Sequence, residues 1–117
     1  MSAAAFPGAG TRLPALAAMR CRPGAPRLGL DEINEHLATL AGWSCTDNRM
    51  AKTFRFANFC ETMAFVNAVA YVAHREDHHP DLAVGYDRCG VAYTTHDAGG
   101  VTVNDCIGAA KVEGLAA

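Results

Sequence analysis

Two stretches of this chain follow the same plan, a pair of short segments about a polar turn, then a capping residue with an acid three positions on, then a helix. In the first, positions 43–47 and 50–57 read as strands about an Asp47-Asn48 turn. Lys52, Phe54 and Phe56 alternate there with Thr53 and Arg55. Asn58, followed by Glu61, opens a long helix with an apolar stripe of Phe59, Met63, Val66, Ala70 and Ala73, and Pro80 sets its limit. In the second, positions 82–86 and 90–95 flank Asp87-Arg88. Thr102, followed by Asp105, then opens a helix running to about Val112, with Gly114 beyond it. Upstream, Leu30, Ile33, Leu37 and Leu40 recur at helical spacing, Asp31 and Glu32 lie in the first turn, and Gly42 is placed to end the element. The order α-β-β-α-β-β-α predicts an α+β domain, a four-stranded antiparallel sheet covered by helices on one face. The other face and the sheet edges then need cover, so a homo-oligomer is expected.

Charge divides the chain unevenly. Residues 1–29 hold four of the five prolines, four arginines (Arg12, Arg20, Arg22, Arg27) and no acid, whereas residues 30–117 carry a formal net charge of −6. The leader reads as a disordered arm outside the fold, and 30–117 as the domain. An arginine-rich, acid-poor leader also fits an organelle transit peptide, but it has a single serine and its prolines break an amphipathic helix. The whole chain carries −2, which gives no argument for nucleic acid, and no apolar run approaches the ~18 residues of a membrane span. Five scattered cysteines without a CxxC pair read as reduced thiols of a cytoplasmic protein.

Four of the five histidines, His74, His78, His79 and His96, fall in one window with Glu76, Asp77, Asp97 and Asp105 on or beside it. His74 and His78 are i, i+4 at the end of the long helix and are expected to face the same way. His79 turns off at Pro80, and His96 ends a strand before the Gly99-Gly100 loop. Imidazoles near their ordinary pKa of about 6.5 can supply an acid and a base together at neutral pH. A helix C-terminus favours a protonated His78, which suits it to an acid role. The bland alternatives are solvated histidines, as expected for His36, or a helix-ending arrangement without chemistry. Spacing alone does not choose. Zinc is disfavoured, because Arg75 follows His74 where the helical metalloprotease motif needs Glu.

The run Glu76, Asp77, His78, His79, Pro80, then Tyr86, Thr95, His96 and Asp105, resembles the signature of the pterin-4a-carbinolamine dehydratase family. Leu40-Ala41-Gly42-Trp43, Phe54-Arg55-Phe56 and Phe59, Met63 and Phe65 extend the resemblance over about residues 28–115. It implies dehydration of 4a-hydroxytetrahydrobiopterin to quinonoid dihydrobiopterin without metal or other cofactor, in dimers or tetramers serving an aromatic amino-acid hydroxylase. Its implied roles make His78 and His96 the acid/base pair and His79 a pterin-binding residue. His74, Asp77, Pro80, Thr95, Asp97 and Ala98 become further substrate contacts, and Asp105 a support that tethers the His96 loop or caps its helix. Where the family often has an acid, this chain has His74. The same resemblance also implies two rivals. One is a dimerisation module of the kind that serves a homeodomain transcription factor, and the other is a pterin binder with weak turnover, of the kind that would serve molybdenum-cofactor metabolism.

Overall fold

The computed structural model describes residues 15–116. Its elements are α1 (Ala15–Ala18), α2 (Leu30–Leu37), β1 (Ser44–Thr46), β2 (Arg49–Arg55), α3 (Phe59–Glu76), β3 (Asp81–Val84), β4 (Arg88–Tyr93) and α4 (Val103–Ala116), with a 3₁₀ turn at His96–Ala98. The four strands form one antiparallel sheet in the order β1-β2-β4-β3, so two hairpins meet along β2 and β4. Asp47 and Asn48 both take positive φ, which is what a two-residue hairpin turn requires of its central pair.

Alternation along the central strands builds the core. Met50 and Phe54 on β2, and Cys89, Val91 and Tyr93 on β4, are buried on one face against Phe65 and Val69 of α3 and Ile107, Ala109 and Val112 of α4. Tyr93 lies so close to α4 that a Cβ on Gly108 would stand 2.6 Å from its ring. Glycine costs a helix interior up to ~1 kcal/mol, and here it is what lets the ring in. The Trp43 indole caps this layer and donates to Glu113. The opposite sheet face, with Ala51, Thr53, Ala83, Gly90 and Ala92, has no helix over it among the described residues.

Three local expectations change. The helix from Leu30 stops at Leu37, and a series of turns carries the chain to Gly42 (φ 87°), because Leu40 is buried from a turn instead of a helix face. The buried face of α3 is Thr62, Phe65, Val69 and Glu76, while Phe59 and Ala70 face out. This helix is apolar on several sides, so its stripe could not be phased by composition, and Phe59 stacks on Tyr86 at the surface. α4 continues through Gly114 to Ala116, held near its end by the bonds from Trp43 and Lys52 to Glu113.

The largest correction concerns the leader. Residues 1–14 lie outside the described residues, but 15–29 pack on the domain. Leu16 of α1 enters the core, and Lys111 donates to the Ala17 carbonyl. Residues 20–28 then run as a strap with one turn at Pro23-Gly24 (Gly24 φ 73°), bonded at Cys21 and Arg22 and closing with Leu28 N–H on the Val101 carbonyl. Prolines forbid a helix here, but they suit an irregular path whose partners lie far away in sequence.

Candidate active site

The site is built where α3 ends and α4 begins. α3 stops at Glu76 because Asp77 adopts a left-handed conformation (φ 51°, ψ 41°). The His78 N–H then returns to the Ala73 carbonyl, closing the helix in the manner usually given to glycine. That one residue separates two histidines expected to face together. His74 stays exposed on the last helical turn, and His78 turns inward, its side chain only 14% exposed.

His78 is held on two sides. Its ring stacks on Tyr93 at 5.8 Å between centroids and 15° between planes, and its Nε2 lies 2.6 Å from Asp105 Oδ1. Asp105 is fully buried, and its Oδ2 accepts from the Thr95 hydroxyl (2.8 Å) and the Thr102 N–H (2.9 Å). Donor counting fixes the rest. An ionised carboxylate only accepts, so Thr95 gives its proton to Asp105, Thr102 donates to Thr95 Oγ, and Thr102 Oγ accepts from Asn104 N–H. By the same count, Nε2–H of His78 donates to Asp105, so in the neutral ring Nδ1 is the acceptor. Asp105 therefore bonds the Thr102 N–H at the start of α4, the Thr95 hydroxyl before His96, and the His78 ring at once.

His96 sits in the short turn after β4, closed by reciprocal Thr95–Gly100 backbone bonds and by Gly99 at φ 75°. Together with Asp77, His78, His79, Thr95 and Asp97 it lines a cavity of about 540 Å³. A second cavity of about 550 Å³ shares Asp77, His78, Thr95 and Asp97 with it and is further lined by Ala98, Asn104 and the strap. Eight of the expected residues thus gather at one place, counting Asp105 behind the wall. His74 and Pro80 line neither cavity; the first is turned out by the helix cap, and the second serves as the stop after His79. Arg49, Asp81 and Thr94 line the histidine cavity unannounced by any motif, and Arg49 pairs with Asp81 at its exposed rim. His36 is half-buried instead of solvated, its Nδ1 covered and unpartnered.

Charges around the site are mostly paired. Burial raises the Glu76 carboxyl, but the Cys21 N–H, Arg20 and Lys111 outweigh it and hold the group below the usual carboxylate range. The Cys21 thiol is pushed up to about 11 by burial and by Glu76, so it stays protonated at neutral pH. Among the described residues no three potential ligands cluster as a metal site would need, and His74 and His78 are kept apart by the cap.

The family model for pterin 4 alpha carbinolamine dehydratase matches residues 26–115. The chain belongs to the pterin-4a-carbinolamine dehydratase family. A relative in Nitrosomonas eutropha, named "Putative pterin-4-alpha-carbinolamine dehydratase", is 53% identical over 104 residues, covering 86% of this chain and 92% of its own. One of the same name in Nitrosospira multiformis is 49% identical, covering 90% and 96%. Among solved structures, a transcriptional coactivator/pterin dehydratase from Brucella melitensis superposes with a TM-score of 0.75 at 34% identity, over 78% of this chain and 99% of the other. A pterin dehydratase-like protein described as a RuBisCO assembly factor in the alpha-carboxysome aligns at 21% identity, over 63% of this chain and 86% of the other, with a TM-score of 0.54, a likeness of fold alone. Among the family's residues, Tyr86 is exposed and stacked on Phe59, and it lines neither cavity.

Proposed function

We propose that the chain dehydrates 4a-hydroxytetrahydrobiopterin to quinonoid dihydrobiopterin and water by histidine acid/base catalysis. The observation that carries the reading is His78 braced by buried Asp105 in a cavity shared with His79 and His96. In this reaction the C4a–O bond breaks and a C4a=N5 double bond forms. The departing hydroxide must gain a proton and N5 must lose one. His78, with Nε2–H committed to Asp105, offers Nδ1 as the base for the N5 proton, and a protonated His96 gives its proton to the leaving hydroxyl. The pair returns to its starting state by exchanging a proton with water. Nε2–H held on Asp105 is what supports the base role over the acid role that a helix terminus suggested for His78, because the neutral ring then presents Nδ1 as an acceptor.

His79 binds and orients the pterin. Asp77, Thr95, Asp97 and Ala98 line the ring, and the two carboxylates suit the N–H donors of its amino-pyrimidinone edge. Product release would return pterin to an aromatic amino-acid hydroxylase. The exposed edge strand β3, with Val84 beside exposed Tyr86 and Phe59, supports a working dimer or tetramer. Light scattering that reads a 12.3 kDa monomer would contradict that part.

The test is stopped-flow dehydration of chemically generated carbinolamine. The parent should greatly exceed the spontaneous rate, and His78→Ala and His96→Ala should each lose about 100-fold or more of the enzyme-dependent rate. Variants as fast as the parent would sink the assignment. Pterin affinity without turnover in the parent would instead favour a binding module.

A further inference from the structure

The second cavity has one wall that the family resemblance does not account for. It is made by the strap from Cys21 to Arg27, most of which lies before the family match at residue 26. The strap is pinned beside the reacting groups. Cys21 N–H donates to Glu76 Oε1 at 2.8 Å, two positions before His78. Asn104, next to Asp105, holds Arg22 through both backbone groups, accepting from its N–H at 3.0 Å and donating to its carbonyl at 2.7 Å. At the far end the Arg27 guanidinium lies across Gly100, where a Cβ would stand 2.8 Å from Nε, and it donates to Asn48 Oδ1 at 3.0 Å. Pro23 and Pro26 restrict the span between these anchors in the unfolded chain as well, which lowers the entropy cost of fixing it. The result is a fixed arch over a cavity that adjoins the histidines at His78, Thr95 and Asp97.

The two walls carry opposite charge. Arg22 is exposed at the rim, and its guanidinium is engaged by none of the ion pairs among the described residues. Asp77 and Asp97 stand across from it. A charged tail would be attracted by one wall and repelled by the other, whereas a hydroxyl can accept from the guanidinium and donate to a carboxylate. We propose that the strap is a specificity wall for the substituent at C6 of the pterin, and that it takes a neutral polyhydroxylated chain. The ring occupies the histidine cavity, and the side chain passes His78 to lie under the strap. This deepens the dehydratase reading and rests on it.

Steady-state dehydration of two carbinolamines, one with a 6-dihydroxypropyl chain and one with a 6-methyl group, tests the wall. Asn104→Ala releases the strap, and Pro23→Trp fills the cavity from an exposed position and keeps the test open should the first variant fail to fold. Each should raise KM for the hydroxylated substrate about tenfold and change KM for the methyl substrate by less than about threefold. Variants that move both KM values alike, or neither, overturn the specificity wall and leave the dehydratase reading standing. A parent that dehydrates neither compound overturns that reading, and the wall with it.

Discussion

The two β-β-α halves of the molecule enter their long helices through the same device and use it differently. At the first junction, Asn58 Oδ1 accepts from Glu61 N–H at 2.9 Å and Glu61 reaches back to the Ala57 N–H at 3.1 Å, an exposed capping box with nothing else attached. At the second, Thr102 Oγ accepts from Asn104 N–H and Asp105 reaches back to the Thr102 N–H, but this box is buried. The connections also differ. Residues 56–58 join β2 to α3 directly, whereas residues 94–102 make the turn that carries His96 before α4 begins. The longer connection and the burial together bring Thr95 and His78 onto the capping carboxylate. The first capping acid serves its helix alone, whereas the second also holds the ring of His78, the base in the proposed reaction.

This contrast has consequences for stability. Asp105→Ala strips partners from the Thr102 N–H, the Thr95 hydroxyl and His78 Nε2, all buried or nearly so. It should cost about 3 kcal/mol or more in urea unfolding. A loss under about 1 kcal/mol would mean the buried box is no more than a cap. Glu61→Ala removes one exposed capping bond and should cost only about 0.5 kcal/mol, with pterin dehydration unchanged. An equal penalty at both positions would erase the distinction between the halves.

Much of the fold could be read from local pattern. Period-two alternation placed β2, the Asp47-Asn48 and Asp87-Arg88 pairs placed the two hairpins, and the cap residues Asn58 and Thr102 placed both long helices, because each signal depends on neighbours within a few positions. What escaped depends on distance. The strap looked disordered because its bonds span from Cys21 to Glu76 and from Arg22 to Asn104, and composition contains no trace of them. The phase of α3 escaped because apolar residues surround the helix, so only the sheet decides that Phe65 and Val69 face in. At the site, residue types and spacing identified His78, His79, His96 and Asp105 as a group. They could not reveal the left-handed Asp77 that turns His74 out, nor the bond between Asp105 and His78, since both follow from how α3 and α4 meet.

The account stands on the claim that Asp105 orients His78 for proton transfer at pterin N5. Replacement by Asn tests it most directly, because the shape is kept while an amide nitrogen can face Nε2 and shift the ring proton to Nδ1. Stopped-flow dehydration by Asp105→Asn should fall about 100-fold or more from the parent in kcat, with pterin still bound. A folded Asp105→Asn protein that dehydrates the carbinolamine at the parent rate would contradict it.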